Sequence, residues 1–168
     1  MKKQHALLID AMAAYDAGSP KRIQHFLKVH SFAAVIGLLE GIDEETQFIL
    51  ETAAIVHDIG IRNSLEKYGS DAGKYQEIEG PGEADEMLRS LGGYTETQIE
   101  RVKYLVSRHH TYTNVDGIDY RILLEADFLV NLYENHNDSA AISAAEKNIF
   151  RTEAGTRILR TMFMEKQQ

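Results

Sequence analysis

Seven histidines and no cysteine set the chemistry open to this chain of 168 residues. Without thiolates there are no disulfides, and any metal must sit on His, Asp and Glu. That donor set suits Fe, Mn, Zn, Co or Mg. The most informative spacing is His57-Asp58, which closes the apolar run Ala53-Ala54-Ile55-Val56. Adjacent helical residues point about 100° apart, yet at a helix end the two side chains can turn onto one ion. The plainer alternative is a histidine favoured by the helix dipole, followed by an Asp entering a loop. Asp127 lies within Ile122-Leu123-Leu124-Glu125-Ala126-Asp127-Phe128-Leu129-Val130. Leu123 and Leu124 share its helical face, one turn before it, and Asn131 follows one turn after. A carboxylate on such a face is buried, and burial demands a counter-charge, a metal or hydrogen bonds.

Two further sets of histidines offer ligands. His109-His110 end a helix and lead into Thr111-Tyr112; they read either as ligands or as a solvated terminus. His25 and His30 are five residues apart, about 140° around one helix, so they cannot share a face. His25 aligns with Val29, Phe32 and Ile36, and His30 with Phe26, Leu27, Ala33 and Ala34. Periodicity does not choose between them. His5 and His136 have no partners nearby in sequence and read as surface residues.

The elements that must position these groups read as helices throughout. A first helix runs from about Lys2 to Ala17 and ends at Gly18. Ser19-Pro20 reads as an N-cap followed by proline at the first helical position, and the helix it opens stops near Gly41. Asp43, followed by Glu44 and Glu45, caps a third helix that reaches Asp58. Residues 60–80 carry glycines and polar groups and read as a long functional loop. Pro81 opens a short helix that Gly92-Gly93 closes. Thr95-x-x-Gln98 is a capping box for a helix to His109. After a loop at Asn114–Gly117, Asp119 caps a helix through Tyr133. Two more helices follow, around Ser139–Lys147 and Glu153–Glu165. No segment alternates with period two, so the expected fold is all-α: a compact single-domain bundle of about seven helices spanning residues 1–168.

Composition narrows the partners. The formal net charge is −8, which argues against a nucleic-acid polymer as ligand. It leaves room for a local basic pocket and is no obstacle to divalent cations. MKKQHALLID lacks the apolar stretch of a leader, and no run reaches the roughly 20 apolar residues of a spanning helix. The expected location is the cytoplasm, with no membrane partner. A two-fold dimer is the default assembly.

Taken in order, an early helical His, a His-Asp at a later helix end, further histidines and a buried late Asp resemble the HD superfamily of metal-dependent phosphohydrolases. The resemblance covers residues 19–135, with helices 138–166 packed on that core. It is carried by Arg22-Ile-Gln-His25, Ala53-Ala-Ile-Val-His57-Asp58-Ile-Gly60, His109-His110-Thr111 and Glu125-Ala-Asp127. In this family the first ligand commonly follows Arg by three positions and precedes Val by four. Arg22, His25 and Val29 match, so the resemblance selects His25 over His30.

The resemblance implies an HD-type fold and a metal held by His25, His57, Asp58 and Asp127. A subset of the family, including HD-type diadenosine tetraphosphate hydrolases, adds ligands for a second ion. There the family's His-Gly-Pro is Glu79-Gly80-Pro81 in this chain, so Glu79 stands where a histidine is usual. His110 matches the later histidine, with His109 a close rival, and Asp58 would bridge the two ions. The GYP motif of the related phosphodiesterases is absent. The implied activity is hydrolysis of a phosphate ester or anhydride, on a small phosphorylated substrate such as a nucleotide, by a metal-bound hydroxide. One or two divalent ions of Fe, Mn, Zn or Co, or Mg, would be required. Arg62, four residues after the His-Asp motif, is assigned to the phosphate, and Lys74 is a second candidate for that task. Specificity is expected in loops 60–80 and 111–118. Two alternatives share these ligands: a diiron HD-fold oxygenase, and a nucleotide-sensing module without catalysis.

Overall fold

A computed structural model describes residues 2–164. The expected Glu165 end of the last helix and the boundary at 166 lie outside the described residues. The chain is all-α, with no strand among the described residues. The helices are α1 Lys3–Tyr15, α2 Pro20–Glu40, α3 Glu44–Val56, α4 Ile61–Tyr68, α5 Gly73–Leu91, α6 Glu96–Val106, α7 Ile118–Glu134, α8 Ser139–Asn148 and α9 Glu153–Phe163.

Two helices form the centre. In α3 every residue from Gln47 to Val56 is buried, and α7 buries eleven of its residues, Asp127 among them. The long α2 packs against both. An amphipathic helix would bury one stripe; burial all round marks α3 as the core element. Local signals set the ends. Asp43 accepts the amide protons of Glu45 and Thr46 at 3.1 and 3.0 Å, which starts α3. Gly41 closes α2 with φ of 68°, a left-handed conformation that costs glycine little. The Thr95–Gln98 capping box forms as the sequence suggests, and Gln98 also donates to Glu45, tying α6 to the start of α3.

Four expectations need correction. The described residues form nine helices rather than about seven, because residues 60–80 are mostly helical: they supply α4 and the first two turns of α5. Their glycines act in packing more than in breaking. A Cβ on Gly60 would stand 2.6 Å from the Gln76 carbonyl and 2.7 Å from the Gly80 nitrogen, so glycine here lets α5 cross the end of α3 closely. Pro81 does not open a helix; it sits inside α5, where it leaves the Glu77 carbonyl without its helical donor. Ser19 does stand at the N-cap of α2 with Pro20 in the first turn, but its hydroxyl makes no capping bond, since it accepts from Arg22 Nε at 3.0 Å instead. Finally, α7 begins after Gly117, and Asp119 lies in its first turn, gripped by Arg101 through two contacts of 2.8 Å. No helix of the described residues is long and apolar enough to cross a membrane.

Candidate metal centre

The centre forms where α2, the end of α3, the end of α6 and α7 meet. Three imidazoles point one nitrogen each into it, and in each the other nitrogen is already committed. His57, just past α3, directs Nδ1 to the Ala54 carbonyl at 2.9 Å. His109, in the turn after α6, directs Nδ1 to the Val106 carbonyl at 2.7 Å. The two use the same device: a helix-end histidine bonds the carbonyl three residues back, one of those a helix terminus leaves unpaired. A carbonyl only accepts, so both Nδ1 atoms carry protons. His25 directs Nδ1 to Glu134 Oε2 at 3.1 Å, and Lys28 Nζ donates to the other oxygen of Glu134 at 2.6 Å. The tautomers leave three Nε2 lone pairs facing inward, the usual way a protein orients imidazole ligands.

Two carboxylates meet those lone pairs. Asp127 Oδ1 lies 3.1 Å from His25 Nε2 and 3.6 Å from His57 Nε2, and it accepts from Asn131 Nδ2 at 2.8 Å. Asp58 spans two groups of donors. Its Oδ2 is 3.4 Å from His25 Nε2 and 3.5 Å from His57 Nε2, while Oδ1 is 3.4 Å from His109 Nε2. His25, His57 and Asp58 bring donor atoms within 4.8 Å of one another; so do Asp58, His109 and His110. His109 Nε2 and His110 Nε2 are buried and have no hydrogen-bond partner. Buried polar atoms rarely go unpaired, and both residues bring a ring nitrogen within 4.8 Å of an Asp58 oxygen. Lone pairs facing carboxylates in a buried site need positive charge between them. The residues present therefore fit one or two divalent cations.

Protons meet that need when no ion does. Burial works against the imidazolium of His57, but Asp58 and Asp127 outweigh it and push the group up to about 9. His25 moves the same way, with Asp127 overcoming burial. Asp58 and Asp127 stay ionised well below the usual carboxylate range, because the histidines beside them overcome the cost of burial. His110 is pushed down to about 4 by burial and by neighbouring His109, so it is neutral at physiological pH and able to ligate.

The other sequence-derived candidates lie elsewhere. Glu79 is held by Lys67 Nζ at 2.5 Å and Tyr68 Oη at 2.9 Å and does not enter the centre. Two residues earlier on α5, Glu77 reaches the turn that carries His110 instead: it accepts from the His110 amide at 2.9 Å and from Thr111 Oγ1 at 3.0 Å. The helical extension of α5 rotates Glu79 away and brings Glu77 in. Gly73 serves the same turn, since a Cβ there would stand 2.6 Å from the His110 ring. Arg62 lies over the Tyr15 ring at 5.5 Å with Glu66 at 3.6 Å, and Lys74 over the Tyr75 ring at 4.6 Å.

A cavity of about 420 Å³ opens on the centre, and neither Arg62 nor Lys74 lines it. Its lysine and arginine side chains are Lys21 and Arg22, on the first turn of α2. Arg22 is anchored through Nε to Asp16 at 3.2 Å and to Ser19. Sequence reasoning missed Glu134, Glu77 and Lys21. Glu134 had a signal: Asp127, Asn131 and Glu134 fall at i, i+4 and i+7 on one face of α7. Glu125 of the Glu125-Ala-Asp127 motif faces away from the centre, where it accepts the Arg151 and Thr152 amides at 2.6 and 3.0 Å and holds the start of α9.

The histidines read as surface residues divide. His136 is exposed, but His5 is buried and packs beside His30 and Glu51. No protein-family model, no curated protein and no solved structure matches this chain.

Proposed function

We propose that the chain is a metal-dependent phosphohydrolase of the HD type, acting on a small phosphorylated substrate such as a nucleotide. One observation carries this reading: three imidazoles with pinned tautomers turn Nε2 onto two carboxylates, buried Asp127 and half-buried Asp58, beneath an open cavity. A bound divalent ion would supply a Lewis acid for a phosphoryl oxygen and a water acidified toward neutrality. His25, His57, Asp58 and Asp127 would hold it. His109 and His110, with Asp58 between, would hold a second.

The remaining groups suit a phosphate ester. Arg22 and Lys21 put positive charge at the cavity wall in a protein of net charge −8, and an anchored guanidinium can turn its terminal nitrogens to two oxygens. A second cavity of about 640 Å³ shares His110, Asn131 and Asn135 with the first. Tyr112, Phe128, Asn137 and Asn148 also line it. Ring faces and neutral carboxamides suit a heteroaromatic base whose phosphate lies at the centre.

The test pairs metal analysis with turnover. Chelator-free protein should hold one or two equivalents of Fe, Mn, Co or Zn and release phosphate or a nucleotide from nucleoside phosphates or dinucleoside polyphosphates. His57→Ala should lose metal and at least about 100-fold in turnover, since changes to outer-shell residues alone cost 10–100-fold. Oxygen consumption on an organic substrate, without phosphate release, would replace this reading with a diiron oxygenase. Tight nucleotide binding with no turnover would replace it with a sensing module.

A further inference from the structure

A second group of histidines and a carboxylate lies on the opposite face of α2. His5 from α1, His30 from α2 and Glu51 from α3 are all buried, and their donor atoms lie within 4.8 Å of one another. Glu51 Oε2 stands 3.0 Å from His5 Nδ1 and 3.1 Å from His30 Nε2. The tautomer of His5 follows from its neighbours. Its Nε2 lies 3.2 Å from the Phe48 carbonyl, which only accepts, so Nε2 carries the proton. Its Nδ1 faces the Lys2 amide, which only donates, at 3.3 Å. A neutral His5 therefore turns a lone pair toward a carboxylate oxygen. Two acceptors at 3.0 Å require a cation between them, either a proton or a metal.

The geometry points to a metal site at His5, His30 and Glu51, separate from the centre on His25, His57, Asp58 and Asp127, taking Zn²⁺ or a similar ion on two imidazoles and a carboxylate. The spacings suit it: ligands about 2.0–2.1 Å from a tetrahedral ion stand about 3.3 Å apart. The carbonyl of Phe48 supplies the outer partner that fixes His5. A path exists as well. An apolar depression of about 550 Å³ between α1 and α2, lined by Ala6, Ile9, Leu27 and Val35, reaches His30. Lys2 is exposed, so its amide can turn to water when Nδ1 takes a metal. The ion would join α1, α2 and α3.

Stripped full-length protein titrated with Zn²⁺ or Co²⁺, then dialysed and assayed for metal, tests the site. His30→Gln should hold one equivalent fewer than the unaltered chain. His25→Gln should lose a different one, and the double variant both, so failure of either site leaves the other reading intact. Nitrogen-detected imidazole NMR on the unaltered chain keeps the test open if His30→Gln does not fold. Added Zn²⁺ should move His5 Nδ1 and His30 Nε2 to metal-bound positions while His5 Nε2 keeps its proton. Equal metal content in the unaltered chain and His30→Gln overturns the site. A proton on His5 Nδ1 in saturating Zn²⁺ does the same, and leaves an imidazolium–carboxylate pair.

Discussion

His25 and His30 sit five residues apart on one helix and enter two buried clusters that differ in what surrounds them. The His25 side gathers three imidazoles, Asp58 and Asp127 under an open cavity; Asp58 keeps 21% of its side chain exposed, and two imidazole nitrogens go unpaired. The His30 side gathers two imidazoles and Glu51 between packed helices, and Gln47 donates to Glu51 at 2.9 Å. The difference lies in exposure and surplus donors. A cluster with spare inward lone pairs and a route for substrate suits chemistry, whereas one buried among three helices suits cohesion.

The largest effect expected on this comparison comes from Glu134, which holds His25 from outside. Glu134→Ala should weaken metal affinity of the His25 cluster by about 10–100-fold and leave the His30 cluster unchanged. Metal titration of both clusters reads this directly; equal weakening of both would show that α2 transmits a general loosening instead.

Next is the choice of phosphate-binding cation. Arg22→Ala should reduce turnover by about 10-fold or more, since a charge-assisted hydrogen bond contributes about 1.5–3 kcal/mol. Arg62→Ala should change it less than about 2-fold, because its exposed side chain lies over Tyr15 outside the cavity. Metal content should stay constant in both variants. The reverse order would return the phosphate to the position that the motif spacing favours.

The smallest effect expected is a difference in pH response between the clusters of the metal-free protein. His57 is raised, so its contribution to stability is complete below its ordinary value of 6.5 and is lost as pH rises through about 9. Glu51 moves the other way: burial opposes its charge, but His30, His5 and Gln47 hold it low. Its contribution is present above the ordinary carboxylate value of 4.5 and is lost as pH falls below it. Denaturant midpoints should therefore decline at both ends, and His57→Gln should flatten the alkaline limb and also reduce the acid limb, because His57 helps to hold Asp58 and Asp127 ionised. An alkaline limb unchanged in that variant would show that His57 is not the group responsible.

Much of this was legible in the chain. Capping signals at Asp43 and Thr95 and the closing Gly41 depend on a few adjacent residues, so their structural meaning is local and carries over directly. Burial of Asp127 followed from its apolar face for the same reason. Residues 60–80 misled because a glycine breaks a helix in isolation but permits a close crossing in a packed one, and only the partner helix distinguishes the two. His5 misled because its partners, Phe48 and Glu51, are more than forty residues away.

The sequence by itself determined the helical class, the absence of thiolate chemistry and the set of residues able to ligate, since these follow from composition, period and local hydrogen bonding. Tertiary structure decided which of them converge. Whether Glu77 or Glu79 faces His110, whether Arg22 or Arg62 meets the cavity, and which partner each histidine on α2 receives depend on how far α5 extends and how α2, α3 and α7 pack. A helix turns about 100° per residue, so a shift of one or two positions sends a side chain to another face. Packing across distant segments sets that rotation.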